Sequence, residues 1–142
     1  MDGDKRRAAR LALDLPVAFE SIGQPELALH PGIAAIYQRV EAAGRGARAT
    51  GVLRDLSING AYLAAEPLPL LSRVAMSFSL GDIPVEAIGW AMWRRLEDCE
   101  IAREGGSPLV QPRGFGVLFE SIPLEVRIRI DRMVSRALRD SR

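Results

Sequence analysis

The stretch Arg54-Asp55-Leu56-Ser57-Ile58-Asn59-Gly60 lies between two apolar runs, Val52-Leu53 and Ala61-Tyr62-Leu63. An apolar, polar, apolar order over so short a span predicts two strands joined by a tight connection. The polar residues are spaced D-x-S-x-x-G. Asp55 supplies carboxylate acceptors and Ser57 a hydroxyl that donates or accepts. Gly60 supplies a backbone free to take a positive φ or to approach a neighbour closely. Strand alternation predicts that Asp55 and Ser57 share a face. Asp, Ser, Asn and Gly are also the ordinary residues of turns, so the stretch alone reads equally well as a plain connection.

Outward from it, other segments carry the period of two. Leu11, Leu13, Leu15, Val17 and Phe19 fall on one face, with Asp14 and Glu20 on the other. Pro16 lacks a ladder donor, so this strand runs along an edge there or contains a bulge. Val74, Met76, Phe78 and Leu80 alternate with Ala75, Ser77 and Ser79, and Gly81-Asp82 follows as a hairpin turn. Val85–Trp93 is apolar on both faces, as in a central strand or one bent at Gly89. Trp90 and Trp93 are expected to be core aromatics, given the area an indole buries. Phe115, Val117 and Phe119 mark a last strand. Residues 122–139 are predicted to be a helix, with Pro123 and Glu125 in its first turn. Its apolar face holds Val126, Ile130, Met133, Val134 and Ala137. Arg127, Arg129, Arg132, Arg136 and Arg139 cover the other side, as a solvated surface or a partner contact.

Two segments interrupt the strands. Gly23, Pro25, Pro31 and Gly32 read as loop, and Ile33, Ile36, Tyr37 and Val40 then follow the spacing of a short helix. The segment at about 23–49 is thus an insert between the first two strands. Residues 97–113 hold Gly105-Gly106, Pro108 and Pro112 among charges and read as a loop between strands. Together the segments predict a mainly β domain over residues 11–142, an antiparallel barrel with a C-terminal helix.

Composition narrows the function classes. The chain has 142 residues, 48% apolar and 26% charged, enough for one domain with its own core. A net charge of +1 does not suggest an extended nucleic-acid footprint. Cys99 is the single cysteine, so no internal disulfide forms, and His30 is the single histidine, so no multi-histidine metal site forms. No apolar run reaches membrane-span length, and Asp14, Pro16 and Glu20 interrupt any signal-peptide core. A cytoplasmic protein is expected. No Walker, Rossmann or G-x-S-x-G pattern occurs, so neither an enzyme nor a resident cofactor or metal is expected.

The N-terminal segment Lys5-Arg6-Arg7-Ala8-Ala9-Arg10 carries R-x-x-x-R at Arg6 and Arg10, directly before the first strand. Residues 1–10 read as a flexible basic arm. R-x-x-x-R followed by D-x-S-x-x-G resembles the PilZ family, the bacterial receptor domains for cyclic di-GMP. The flanks are also similar: Asp55-Leu56-Ser57 continuing to Gly60-Ala61-Tyr62-Leu63, a strand ending in Trp93-Arg94-Arg95, and Gly114–Phe119 before a terminal helix. The resemblance excludes roughly 23–49 and 97–112. It implies a six-stranded antiparallel barrel, with the 23–49 insert a departure. It assigns ligand contact to Arg6, Arg10, Asp55 and Ser57, and a mostly conformational role to Gly60. Lys5, Arg7 and Asn59 stand as neighbouring candidates.

The residue types suit such a ligand. A guanidinium forks onto phosphate or guanine O6/N7 and stacks on a ring face. A carboxylate at Asp55 accepts from the guanine N1–H and N2–H edge. The resemblance implies that cyclic di-GMP orders the arm against the barrel and so signals to a protein effector, with a homodimer also admitted. Two alternatives stand beside it: a PilZ-like interaction module that binds no nucleotide, and a small nucleic-acid binder, which the near-neutral charge disfavours.

Overall fold

A computed structural model describes residues 10–22 and 48–140. The predicted arm residues Lys5, Arg6 and Arg7, and the predicted helix over 33–40, lie outside the described residues. In chain order the described elements are β1 (Leu11–Ile22), β2 (Arg48–Leu56), β3 (Gly60–Ala64), β4 (Arg73–Leu80), β5 (Ile83–Arg95), β6 (Cys99–Ile101), β7 (Leu109–Gln111), β8 (Gly114–Ser121) and α1 (Leu124–Asp140). Six of the strands close into an antiparallel barrel in the order β1-β2-β3-β8-β5-β4, and β6 pairs with β7 in a separate two-stranded sheet. Arg48 and Ala49, assigned from sequence to the insert, already pair with Glu20 and Phe19.

Alternation builds the core. Leu53, Leu63, Phe115, Val74 and Ala91 project inward and are fully buried. Phe19 meets Phe115 edge-on at 5.3 Å and 71°, the arrangement the ring quadrupoles favour. β4 and β5 turn through Gly81-Asp82, where Gly81 takes φ +67°. β1 pairs with β4 only over Ala18–Ile22, so Pro16 faces a single ladder on the β2 side. A bulge between Ala12 and Leu15 lies next to it, so both sequence-level expectations for Pro16 hold.

Three expectations change. Residues 97–113 are not wholly loop: Cys99-Glu100-Ile101 pairs with Leu109-Val110-Gln111 in a short hairpin whose strand residues are all exposed. Such a ladder is too short and too solvated to carry an apolar period, and its turn includes Gly105 at φ +71°. Second, the tryptophans are not in the core. Trp90 is half-buried on the outer wall, in register with Arg73 and Leu118, and Trp93 is 42% exposed. Trp90 faces outward by the ordinary alternation of β5, between the buried Gly89 and Ala91, whereas Trp93 is turned outward by a bulge. Ala91 pairs with Val117 and Trp93 with Gly116, leaving Met92 as the extra residue that reverses the alternation. Third, Ala137 is exposed. The buried seam of α1 is Val126, Ile130 and Val134, with Met133 and Leu138 partly buried against the core, so its last turn packs through Leu138 rather than Ala137. The five helix arginines are exposed.

Helix α1 starts beyond Pro123, whose carbonyl accepts from the Val126 and Arg127 amides at 3.0 and 3.1 Å. Ile130 is fully buried at the centre of its seam. Ile130→Ala is expected to lower stability by about 2–5 kcal/mol, through lost burial and the cavity left behind. Gly60 has no positive φ; its role is close approach, because a Cβ there would overlap the Val117 carbonyl oxygen. Gly60→Ala is expected to cost about 1–3 kcal/mol by overpacking against backbone. Urea unfolding of each variant checks both values.

Candidate functional site

The D-x-S-x-x-G stretch forms the end of β2, the turn and the start of β3. β2 closes with a bulge between Leu53 and Asp55, so Arg54 and Asp55 both lie off the core while Leu53 and Leu56 are fully buried. Asp55 therefore faces the outer wall. Ser57 does not share its environment: it lies past the end of β2 and is 4% exposed. The Ser57 hydroxyl contacts the Gly60 carbonyl at 3.3 Å and accepts from the Asn59 and Gly60 amides at 3.3 and 3.2 Å. The Ser57 amide donates to the Gly60 carbonyl at 2.8 Å. The hydroxyl thus stabilises the turn, the usual local use of serine there. Asn59 is exposed, and its carbonyl accepts from the Phe119 amide at 2.8 Å and fastens the turn to β8.

Arg10 reaches Asp55. Its Nη1 donates to Asp55 Oδ1 at 2.8 Å, with both side chains partly exposed. The pairing of Leu11 with Leu56 and Ala12 with Asp55 puts Arg10 at this place. The second arginine of R-x-x-x-R is thus positioned by a ladder, while the first, Arg6, lies outside the described residues.

Sequence reasoning missed the neighbours of this pair. Asp55 pairs across the sheet with Tyr62, Tyr62 with Gly116, and Gly116 with Trp93. Cross-strand partners project from the same face, so one lateral row on the outer wall holds the carboxylate, the phenol and the indole. Trp93 stacks on Tyr62 with ring centroids 4.9 Å apart and 16° between planes. Gly116 makes this possible, since a Cβ there would overlap the Trp93 ring. The Arg95 guanidinium lies over both rings, 5.3 Å from the Tyr62 centroid and 5.6 Å from that of Trp93. The usable sequence signal was the outward parity of Tyr62 with Asp55 across a tight turn. The bulge at Met92 carried no such signal.

The ledge has a distinct electrostatic character. Burial pushes the Tyr62 hydroxyl above its ordinary pKa near 10, with the Arg95 cation pulling the other way and the Asp55 and Asp98 carboxylates adding to the rise. A raised acid pKa keeps the folded state protonated longer than the unfolded chain. Stability is therefore full below pH about 10 and is lost as pH rises past that point. In an ultraviolet titration, Tyr62 is expected to ionise later than a free tyrosine. Tyr62→Phe should remove that late component and flatten the stability loss at high pH.

Known proteins were compared with this chain. No family model matches the sequence, and no curated protein matches it. Among solved structures, the chain is similar to the PilZ domain with c-di-GMP of YcgR from Escherichia coli, at a TM-score of 0.50 and 16% sequence identity, with 94% of this chain and 91% of that chain covered. No described helix is long and apolar enough to cross a membrane. At that identity the likeness speaks for architecture: the closed six-stranded barrel with its C-terminal helix has the fold of a PilZ domain.

Proposed function

We propose that this chain is a receptor domain for cyclic di-GMP, without catalytic activity, that passes second-messenger level to a protein effector in the bacterial cytoplasm. The observation that carries the reading is the row on the outer wall: the Arg10–Asp55 pair at 2.8 Å, then Tyr62 stacked on Trp93 beneath Arg95. Each member meets a need of a purine dinucleotide. Asp55 offers acceptors to a guanine edge, Trp93, backed by the buried Tyr62, offers an exposed ring face, and Arg10 and Arg95 offer planar cations to phosphate or base. The solved relative was captured with the same dinucleotide.

The arm carrying Lys5, Arg6 and Arg7 would close over this row. Arg10 needs no ordering step, because the β1–β2 ladder already positions it. The entropic cost of binding then falls on the residues before it. The role of Ser57 is to hold the Asp55 end of the turn in shape, as judged from its three bonds inside the turn.

One observation favours the second reading, an interaction module of this fold that binds no nucleotide. Asp55 and Arg10 already satisfy each other, so a ligand must displace or join an existing ion pair. The pair is exposed, and exposed pairs of this kind contribute at most about 1 kcal/mol, a small barrier for a doubly charged ligand.

Calorimetric titration decides between the readings. The wild-type protein should bind cyclic di-GMP and not cyclic di-AMP or GTP. Arg6→Ala, Arg10→Ala and Asp55→Ala should each weaken binding at least tenfold, about 1.4 kcal/mol. No heat from the wild type, or variants that bind as well as it does, would reject the receptor reading.

A further inference from the structure

Tyr62 connects the ledge to the β6–β7 sheet outside the barrel. Its hydroxyl donates to the Pro112 carbonyl oxygen at 2.5 Å. Arg95 Nη1 donates to Tyr62 Oη at 3.2 Å and reaches the same carbonyl at 3.5 Å. Pro112 directly follows β7, and Arg95 ends β5 shortly before β6 begins. Both roots of the β6–β7 hairpin are therefore gathered on one phenol. Asp98 Oδ1 accepts from the Arg113 amide at 2.8 Å and closes the hairpin's own neck, and the exposed Arg113–Glu66 ion pair adds a solvated link to the end of β3. Neither β6 nor β7 packs substantially on any other described element.

Arg95 is the movable member of this attachment. Among the described residues it has no carboxylate partner, and its acceptors are a phenol and a carbonyl, both neutral. Its guanidinium carbon lies 5.3 Å from the Tyr62 ring centroid and 5.6 Å from that of Trp93, beside the exposed indole. A phosphate oxygen carries a negative charge that the phenol and the carbonyl lack and fits the guanidinium fork, so an anionic ligand offers Arg95 a better acceptor.

We propose that a cyclic dinucleotide with its base on the exposed Trp93 ring offers a phosphate to Arg95, draws it away from Tyr62 and the Pro112 carbonyl, and so loosens the β6–β7 hairpin. This rests on the nucleotide-binding reading above and gives that site an output separate from the arm. The hairpin becomes more mobile on binding, the reverse of the ordering expected of the arm.

Cys99, the single cysteine, lies exposed on β6 and accepts a nitroxide label without any substitution. The labelled protein is titrated with cyclic di-GMP, with affinity followed by calorimetry and label mobility by electron paramagnetic resonance. The wild-type spectrum should shift toward the mobile form at saturation. Arg95→Met should be mobile before any ligand is added and shift no further. Tyr62→Phe, which keeps the ring and loses the donor, should also start more mobile than wild type. Binding with an unchanged or more immobile spectrum overturns this proposal alone. So does an Arg95→Met spectrum matching the ligand-free wild type. Absence of binding removes the nucleotide reading and this proposal with it, so the two failures are told apart.

Discussion

One extra residue in β5, Met92, separates the pairing of Ala91 with Val117 from that of Trp93 with Gly116. Without it the inward series Val85, Ala87, Gly89, Ala91 would continue to Trp93 and place an indole in the barrel interior. With it Trp93 faces outward, crosses the bare backbone of Gly116 and settles on Tyr62. Tyr62 becomes buried although it points away from the core. Arg95, two residues on, is then placed above both rings. The corresponding irregularity in β2, at Arg54, turns Asp55 outward into the same row. Bulges re-aim side chains while leaving the rest of the ladder intact, and here two of them aim at one strip of wall.

The strip is rigid because of what lies behind it. Ala61, Leu63, Phe115 and Val117 alternate with Tyr62 and Gly116 along β3 and β8 and are buried in the core. Any tilt of the outer row must drag these inward residues through close-packed surroundings, which interiors resist. Groups carried on such strands need little reorganisation when a ligand arrives, whereas groups on a terminal arm must be ordered. Arg10 belongs to the first kind, since β1 enters the ladder at the next residue.

Charge and ring alternate along the row: a cation and an anion at one end, two aromatic faces in the middle, a second cation at the far end. Tyr62 is the joint. It neighbours Asp55, supports Trp93, accepts from Arg95 and donates to Pro112. Its phenol resists ionisation because it is buried, with the Asp55 and Asp98 carboxylates adding to the effect and the Arg95 cation opposing it.

Much of the fold was legible from local pattern. Period-two alternation in β1, β4 and β8, the Gly81-Asp82 turn and the apolar stripe of α1 are each fixed by nearby residues, and their elements form where the pattern puts them. Arg10 and Asp55 were also legible, through motif spacing. What sequence alone determined was which of the barrel segments are strands and which charged and hydroxyl side chains stand at the β2–β3 turn. Tertiary structure decided which of those side chains meet. The pairing of β3 with β8 and of β8 with β5 joins residues far apart in the chain, and a bulge is defined only by the partner strand it fails to match. Hence Tyr62, Trp93 and Arg95 became neighbours of Asp55, and Ser57 turned into its own loop, for reasons that no local periodicity contains.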